Sequence, residues 1–285
     1  MQRVSYQSVI DQAAALAGFT TSTLTASPKS LLRQFINRRL KSAWEHWWWP
    51  QLMRAELRYY RDAYSAGTTY AAGDEVYYST TGLYYAATGS TLANAPTDTN
   101  YWSQVTDLDA YISLDQTGQT EIGTVRGVYK DDPETTDRPR RVLFRMAPNG
   151  IQVLGDTVPV SVYVWFRDRA PVLLGTDYSA AATYTAGQVA YYSSDTTDYD
   201  GDWWECLSAT NAGENPESAA AKWSRREFPA WLRDCVAQRA YADWLRQDGQ
   251  PEAAVIEDGI GRQFLFEAIN QAGPAQRQFA YAAGA

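Results

Sequence analysis

The sequence predicts an α+β protein: a helical bundle formed by N- and C-terminal helices, a central β region, and two small all-β inserted modules. Three observations carry that expectation. Both ends of the chain space apolar residues at helical intervals, the middle alternates apolar and polar residues between turn signals, and one aromatic-rich segment occurs twice.

At the N-terminus, Val9, Ile10, Ala13, Leu16 and Ala17 mark a helix over Tyr6 to Ala17, with Gly18 as its stop. Ser27 then caps a second helix and Pro28 takes its first position. Leu31, Leu32, Phe35, Ile36, Leu40, Ala43, Trp44 and Trp47 form its apolar face, with Arg33, Arg38, Arg39 and Lys41 around the other side, and Pro50 ends it. Near the C-terminus, Pro229 opens a helix carrying Leu232, Val236, Ala240 and Trp244. Asp248-Gly249-Gln250-Pro251 is a turn, and a last helix points Ile256, Ile260, Phe264, Ala268 and Ile269 inward. Gly259 and Gly261 weaken that helix by roughly 1 kcal/mol each relative to Ala, which suits a close contact or a bend.

Between the ends, Val125–Tyr129, Arg141–Met146, Ile151–Leu154 and Val160–Arg167 read as strands. Ala147-Pro148-Asn149-Gly150 reads as a hairpin turn because Asn-Gly tolerates positive φ. Asp131 to Arg140 is charged and proline-bearing, hence a loop.

The duplication is the most informative feature. Tyr64, Tyr70, Gly73, Asp74, Tyr77 and Tyr78 return as Tyr178, Tyr184, Gly187, Gln188, Tyr191 and Tyr192, at a constant offset of 114 residues. After a longer hairpin in the second copy, Leu83-Tyr84-Tyr85 matches Asp202-Trp203-Trp204. Asn94-Ala95-Pro96 matches Glu214-Asn215-Pro216, and Tyr101-Trp102-Ser103 matches Lys222-Trp223-Ser224. The copies are separated rather than tandem, so each reads as a self-contained insertion, not a solenoid repeat. A core of this size is marginal, and dense Tyr and Trp compensate. Trp102 and Trp223 are the expected anchors of the two module cores, with Tyr70 and Tyr184 packed beside them.

The repeated pattern resembles the small chitin-binding type of carbohydrate-binding module. The first copy carries Tyr70, Gly73-Asp74-Glu75-Val76-Tyr77-Tyr78, Tyr85-Ala86-Ala87, Pro96 and Trp102. The second has Gln188 in place of the Asp and a hairpin enlarged by Asp198-Tyr199-Asp200-Gly201. The leading Trp common in sugar-binding members is here Tyr64 and Tyr178. The resemblance implies Tyr64, Tyr85, Tyr178 and Trp204 as aromatics that contact a glycan or another partner.

The remainder of the chain resembles the head-to-tail adaptor proteins of tailed bacteriophages, including the tail tubular A type. The residues that carry this are Arg141 to Leu154, Val162 to Pro171 and the terminal helix pair. The resemblance implies an adaptor core of 1–61, 105–176 and 226–285, interrupted by modules at 62–104 and 177–225. It implies a homo-oligomeric ring, roughly a dodecamer, bound to a portal protein above and a tail protein below, with DNA passing through without specific binding. The protein would reside in the neck of the virion after assembly in the host cytoplasm, with no catalysis and no cofactor. The uncharged stretch after Ala272, broken only by Arg277, reads as an irregular end whose Phe279 and Tyr281 would anchor on the portal or a neighbouring subunit.

Composition fits these expectations and narrows others. The chain has 285 residues, 20 Tyr, 11 Trp and a formal charge of −8, so it lacks the global basic footprint of a phosphate-gripping protein. No apolar run reaches membrane-spanning length and no secretion signal is evident, so we expect a soluble protein and no membrane partner. Cys206 and Cys235 are too few for a disulfide framework, and with His46, the one histidine, they make no zinc pattern. His46 and the Trp44–Trp49 cluster read as helix-end packing. Asp107, Asp109 and Asp115 read as solvated loop acids rather than a glycosidase pair. Asp195, Asp198, Asp200 and Asp202 have the density but not the spacing of a calcium loop. Arg138, Arg140 and Arg141 read as partners of a nearby acid. Gly259-Ile260-Gly261 follows no strand and is no dinucleotide loop. The competing readings are a carbohydrate-binding accessory protein for chitin or cell-wall glycan, and an enzyme without a recognisable motif.

Overall fold

The computed structural model describes residues 2–20, 26–116, 119–155, 158–171, 173, 175–194 and 201–283, with the backbone alone for 26, 27 and 273–283. The protein is α+β. It divides into two compact units, one from Met1–Gln51 and Ala170–Arg277, the other built on Leu52–Arg169. The helices of both chain ends therefore share a unit with the second repeat copy, and the central strands share one with the first.

The first unit begins with β1 (Arg3–Val4), α1 (Tyr6–Leu16) and α2 (Ala26–His46). Ser5 caps α1, its hydroxyl accepting from Ser8 N at 3.3 Å. Gly18 closes the helix at φ +77°, with Phe19 N bonded to Ala14 O and Gly18 N to Ala15 O, a Schellman arrangement. α2 starts before the expected cap, so Ser27 and Pro28 lie within its first turn. Proline is tolerated there because the first-turn N–H groups have no helical partner.

The second unit runs β2 (Met53–Tyr59), β3 (Thr69–Tyr70), β4 (Glu75–Tyr78), β5 (Leu83–Ala87), β6 (Thr91–Leu92), β7 (Trp102–Gln104), β8 (Tyr111–Ser113), β9 (Ile122–Tyr129), β10 (Phe144–Ala147), β11 (Gly150–Val153) and β12 (Ser161–Asp168). β12 is the centre of one antiparallel sheet, flanked by β2 and β9. β11 is the centre of another, flanked by β10 and β8. Val162, Val164 and Phe166 of β12 bury with Ile112, Ile122, Val128, Ile151 and Val153 in one core filled from both sheets. The β10–β11 turn differs from the expected Asn-Gly centre. Pro148 and Asn149 are the central residues, with Asn149 at φ +56°, and Gly150 opens β11 beneath the Tyr111 ring, where any Cβ would collide.

The first unit resumes with β13 (Thr176–Asp177), β14 (Val189–Ser193), β15 (Gly201–Cys206), β16 (Trp223–Arg225), β17 (Phe228–Pro229), α3 (Arg233–Gln247) and α4 (Pro251–Ala283). Pro229 does not start a helix: it ends β17, which pairs with β1, and a short 3-10 turn precedes α3. Val9, Ile10 and Ala13 of α1, Leu32, Ile36 and Leu40 of α2, and Val236, Ala237 and Ala240 of α3 are buried where the three helices pack.

Two expectations for α4 are corrected. Its inward face is Ala254, Asp258, Gly261, Leu265 and Ala272, while Ile256 is 65% exposed and Ile260 also faces solvent. The buried Asp258 replaces an apolar residue on that face, which displaces the apparent stripe. Gly261 sits against the Arg239 side-chain stem, where a Cβ would collide, whereas Gly259 faces open space. The helix also continues past Ala272 through Pro274 to Ala283, where an irregular end was expected. Gly273 and Pro274 oppose helix, but the run of Ala, Gln and Arg after them favours it.

Candidate functional site

The two aromatic modules share a set of corresponding hydrogen bonds. Tyr64 N donates to Tyr77 O and Tyr178 N to Tyr191 O. Ser65 N and Ser179 N each donate to the hydroxyl of the tyrosine five residues on, Tyr70 and Tyr184, at 2.8 Å. Gly73 and Gly187 adopt φ of +91° and +85° and donate to Ala87 O and Cys206 O. The Trp102 indole donates to Asn94 O at 3.0 Å, and the Trp223 indole to Glu214 O at 3.1 Å. Where the second copy has Gln for Asp, the device survives. Asp74 accepts from Ala71 N at 2.7 Å and Gln188 from Thr185 N at 2.8 Å, each side chain closing its own turn.

The aromatic clusters match too. Tyr64 stacks on Tyr70 at 5.7 Å and 24°, and Tyr178 on Tyr184 at 5.5 Å and 17°. Trp102 meets Tyr70 edge-on at 5.3 Å, and Trp223 meets Tyr184 at 5.2 Å. Tyr70, Trp102, Tyr184 and Trp223 are all buried at the centres of these clusters. Of the four aromatics expected at a partner surface, Tyr85 lies in the first core beside Val76 and Trp102. It is buried there, 9% exposed. Tyr64, Tyr178 and Trp204 are half-buried at the cluster edges. Burial pushes the Tyr64 and Tyr178 hydroxyls upward, and neighbouring tyrosines add to it.

The opposite face of each module packs on its own unit. Tyr77 stacks on Tyr59 at 4.0 Å, and the Tyr84 hydroxyl donates to Val160 O at 2.6 Å while accepting from Tyr60 N at 3.1 Å. That burial pushes Tyr84 up to about 12. In the second module the equivalent residues are Tyr191 and Trp203, which meet Tyr6 of α1 edge-on at 6.4 and 6.2 Å. Arg33 of α2 sits over the Tyr191 ring, 3.4 Å from its centroid, and pairs with Asp177 at 2.8 Å. Asp202 accepts from Gln7 N at 3.1 Å at the positive end of α1, and the Gln7 side chain accepts from Gly201 N at 3.0 Å. Burial raises the Asp202 carboxyl, and its backbone bond from Gln7 opposes this.

The sequence reading missed this packing face. A signal for it exists in Tyr77-Tyr78, Tyr84-Tyr85, Tyr191-Tyr192 and Trp203-Trp204. Successive strand residues point to opposite faces, so one aromatic of each pair must leave the module core.

A second cluster joins the helices. Asp243 of α3, buried, accepts from Arg38 and Arg39 of α2 and from Arg246 one turn on. Asp258 of α4, also buried, pairs with Arg239 at 3.2 Å, Arg262 at 2.9 Å and Arg39 at 3.5 Å. Burial raises both carboxyls, but the arginine bonds and charges outweigh it and hold them below the usual range. In the second unit, Arg58 is fully buried on β2 and bonds Glu56 at 2.8 Å; desolvation lowers its guanidinium.

The remaining candidates lie apart. His46 is exposed, while Trp49 is buried, its indole donating to Ala43 O at 3.0 Å and its ring 4.2 Å from Trp231. Asp107, Asp109 and Asp115 are exposed loop acids, Asp109 accepting from Gln152. Arg140 pairs with Asp131 at 2.7 Å, and Arg141 lies over Tyr129. Asp195, Asp198 and Asp200 lie outside the described residues, as do the side chains of Phe279 and Tyr281. Cys206 and Cys235 are buried free thiols, and burial pushes Cys235 up to about 11. Among the described residues no cluster of His, Cys, Asp or Glu could hold a metal ion, and no helix is long and apolar enough to cross a membrane.

Comparison with protein-family models and with curated proteins finds no match. Chemically, the modules offer half-buried aromatic edges for stacking and the helices offer a guanidinium-rich surface.

Proposed function

We propose that the protein is a structural, non-enzymatic virion component: a head-to-tail adaptor whose N- and C-terminal helices form a bundle that assembles as a ring between portal and tail. In this reading DNA passes through the ring unbound, and the two modules are peripheral units for decoration or docking. The reading is carried by one observation, that α1 and α2 pack on α3 across more than half the chain length. Supporting it further, each module spends one aromatic face on its own unit, as a rigid attachment requires. Phe279 and Tyr281 are the proposed anchors on portal or neighbour.

The test is mass photometry and negative-stain imaging of the full chain, alone and with a portal protein. Rings, or portal-dependent rings, are expected. A chain that stays monomeric in both settings and is retained on chitin or cell-wall glycan refutes the proposal in favour of a carbohydrate-binding accessory role. Removing residues from Gly273 onward should abolish portal capture; unchanged capture refutes the role of the terminal aromatics.

A further inference from the structure

We propose that the outer edge of β2 is a self-pairing site, where a second copy of this chain adds its own β2 antiparallel, and that Glu134 and Gln116 hold that edge shut. The inference does not rest on ring assembly. It rests on which backbone atoms these two side chains occupy.

β2 is an edge strand of the β2–β12–β9 sheet, so its backbone groups that point away from β12 have no neighbouring strand in that sheet. Two of them are met by side chains from segments distant in sequence. The Ala55 N–H donates to Glu134 Oε1 at 2.9 Å, and Tyr59 O accepts from Gln116 Nε2 at 3.1 Å. A carboxylate oxygen thus stands in for a strand carbonyl, and a side-chain amide for a strand N–H. Outward groups recur at every second residue of a strand, so Leu57, between these two, also presents its N–H and C=O to the edge. Both side chains are held in place. The Glu134 N–H donates to Asp132 Oδ1 at 2.9 Å, in a loop whose ends are joined by Arg140 and Asp131 at 2.7 Å. Gln116 belongs to the segment that leads to Thr120, whose hydroxyl donates to Glu56 of β2 at 2.7 Å.

The occupied atoms identify the partner. Antiparallel neighbours bond in pairs, each residue giving its N–H to the other's carbonyl. Two copies of β2 paired about Leu57 set Ala55 opposite Tyr59. The bond from Ala55 N–H to Tyr59 O then forms twice by symmetry, and these are the two groups that Glu134 and Gln116 take. The same register sets Leu57 on Leu57 and Glu56 opposite Arg58, so no like charges meet. Pairing centred one residue earlier would oppose Glu56 to Glu56 and Arg54 to Arg58.

The test compares Glu134→Ala/Gln116→Ala with the wild-type full chain by sedimentation velocity at matched concentration. The double variant should form a species larger than the wild-type form. Glu134→Ala alone, which leaves one side chain on the edge, should shift in the same direction by less. Glu134→Gln keeps an acceptor oxygen and should match the wild type. Adding Ala55→Pro to the double variant removes the outward donor but no bond to β12, so it should restore the wild-type form. Adding Leu57→Cys instead should give a disulfide-linked dimer under oxidised glutathione, because a bonded antiparallel pair sets its Cα atoms about 5.5 Å apart, within disulfide reach. A double variant that stays at wild-type size overturns the proposal. Association that survives Ala55→Pro, or that gives no cross-link at Leu57→Cys, assigns the contact to another surface or register and also overturns it. So does self-association of Glu134→Gln, because the lost charge rather than the lost acceptor would then be responsible.

Discussion

Arg33 sits 3.4 Å from the centroid of the Tyr191 ring, so a helix of the chain's N-terminal end grips the second module through a cation–π contact. The same guanidinium pairs with Asp177 on the incoming strand of that module. Replacing Arg33 with Ala should cost about 1–2 kcal/mol, and Arg33→Lys less, because the ammonium keeps charge but loses the planar contact. Thermal unfolding followed by tryptophan fluorescence checks this; equal stability of Arg33→Ala and wild type would contradict it.

The equivalence of Asp74 and Gln188 makes a sharper test. Both close a turn by accepting a backbone N–H three residues earlier. Gln188→Asp should therefore leave stability within about 0.5 kcal/mol, whereas Gln188→Ala should cost about 1 kcal/mol, as loss of a capping acceptor does. Urea denaturation of the two variants decides it.

Trp102→Ala and Trp223→Ala each remove a buried indole and its hydrogen bond. We expect a loss of about 3–5 kcal/mol in each case. Hydrogen exchange should show the damage concentrated on β4 and β5 for Trp102→Ala, and on β14 and β15 for Trp223→Ala. Uniform loss of protection along the chain would contradict the picture of self-contained module cores.

Acid should loosen the helical interface. Asp243 and Asp258 are both held below their ordinary values by the surrounding arginines, so the native state binds fewer protons than the unfolded chain as pH drops. Their stabilising contribution is complete above about pH 5 and is lost as pH falls through about 4 and below. Asp243→Asn should remove that part of the acid transition and cost about 1–3 kcal/mol at neutral pH, because three arginines lose a charged acceptor and Arg39 keeps only Asp258. Melting temperatures from neutral to acid pH for wild type and variant test both statements.

Cys235 should resist thiol reagents in the native protein. Its thiol is buried and pushed up to about 11, so little thiolate exists at pH 8. Reaction with a disulfide reagent is expected only on unfolding; rapid native-state labelling of Cys235 would refute it.

The sequence made several elements legible because local chemistry dictated them. Gly18 and Gly249 both end helices with positive φ. The repeat itself was readable because its aromatic positions and turn glycines are tied to backbone bonds that tolerate little change. The inward face of α4 was not readable. Asp258 is charged, and its burial is tolerable because arginines of α2 and α3 join Arg262 of its own helix around it; the two from other helices are in no local pattern. For the same reason Ile256 and Ile260 were assigned to the wrong side.

Both modules begin with a short parallel pairing, Ala63 with Tyr77 and Thr176 with Ala190, and end on the far side of a hairpin, at β7 and β16. The points where chain is handed in and handed back are thus about three strand spacings apart, roughly 14 Å. A cassette with such closely set terminals can be spliced into a surface loop without forcing the recipient apart. That geometry gives a physical reason why one gene could accept the same cassette twice, against a β surface in one place and a helical one in the other.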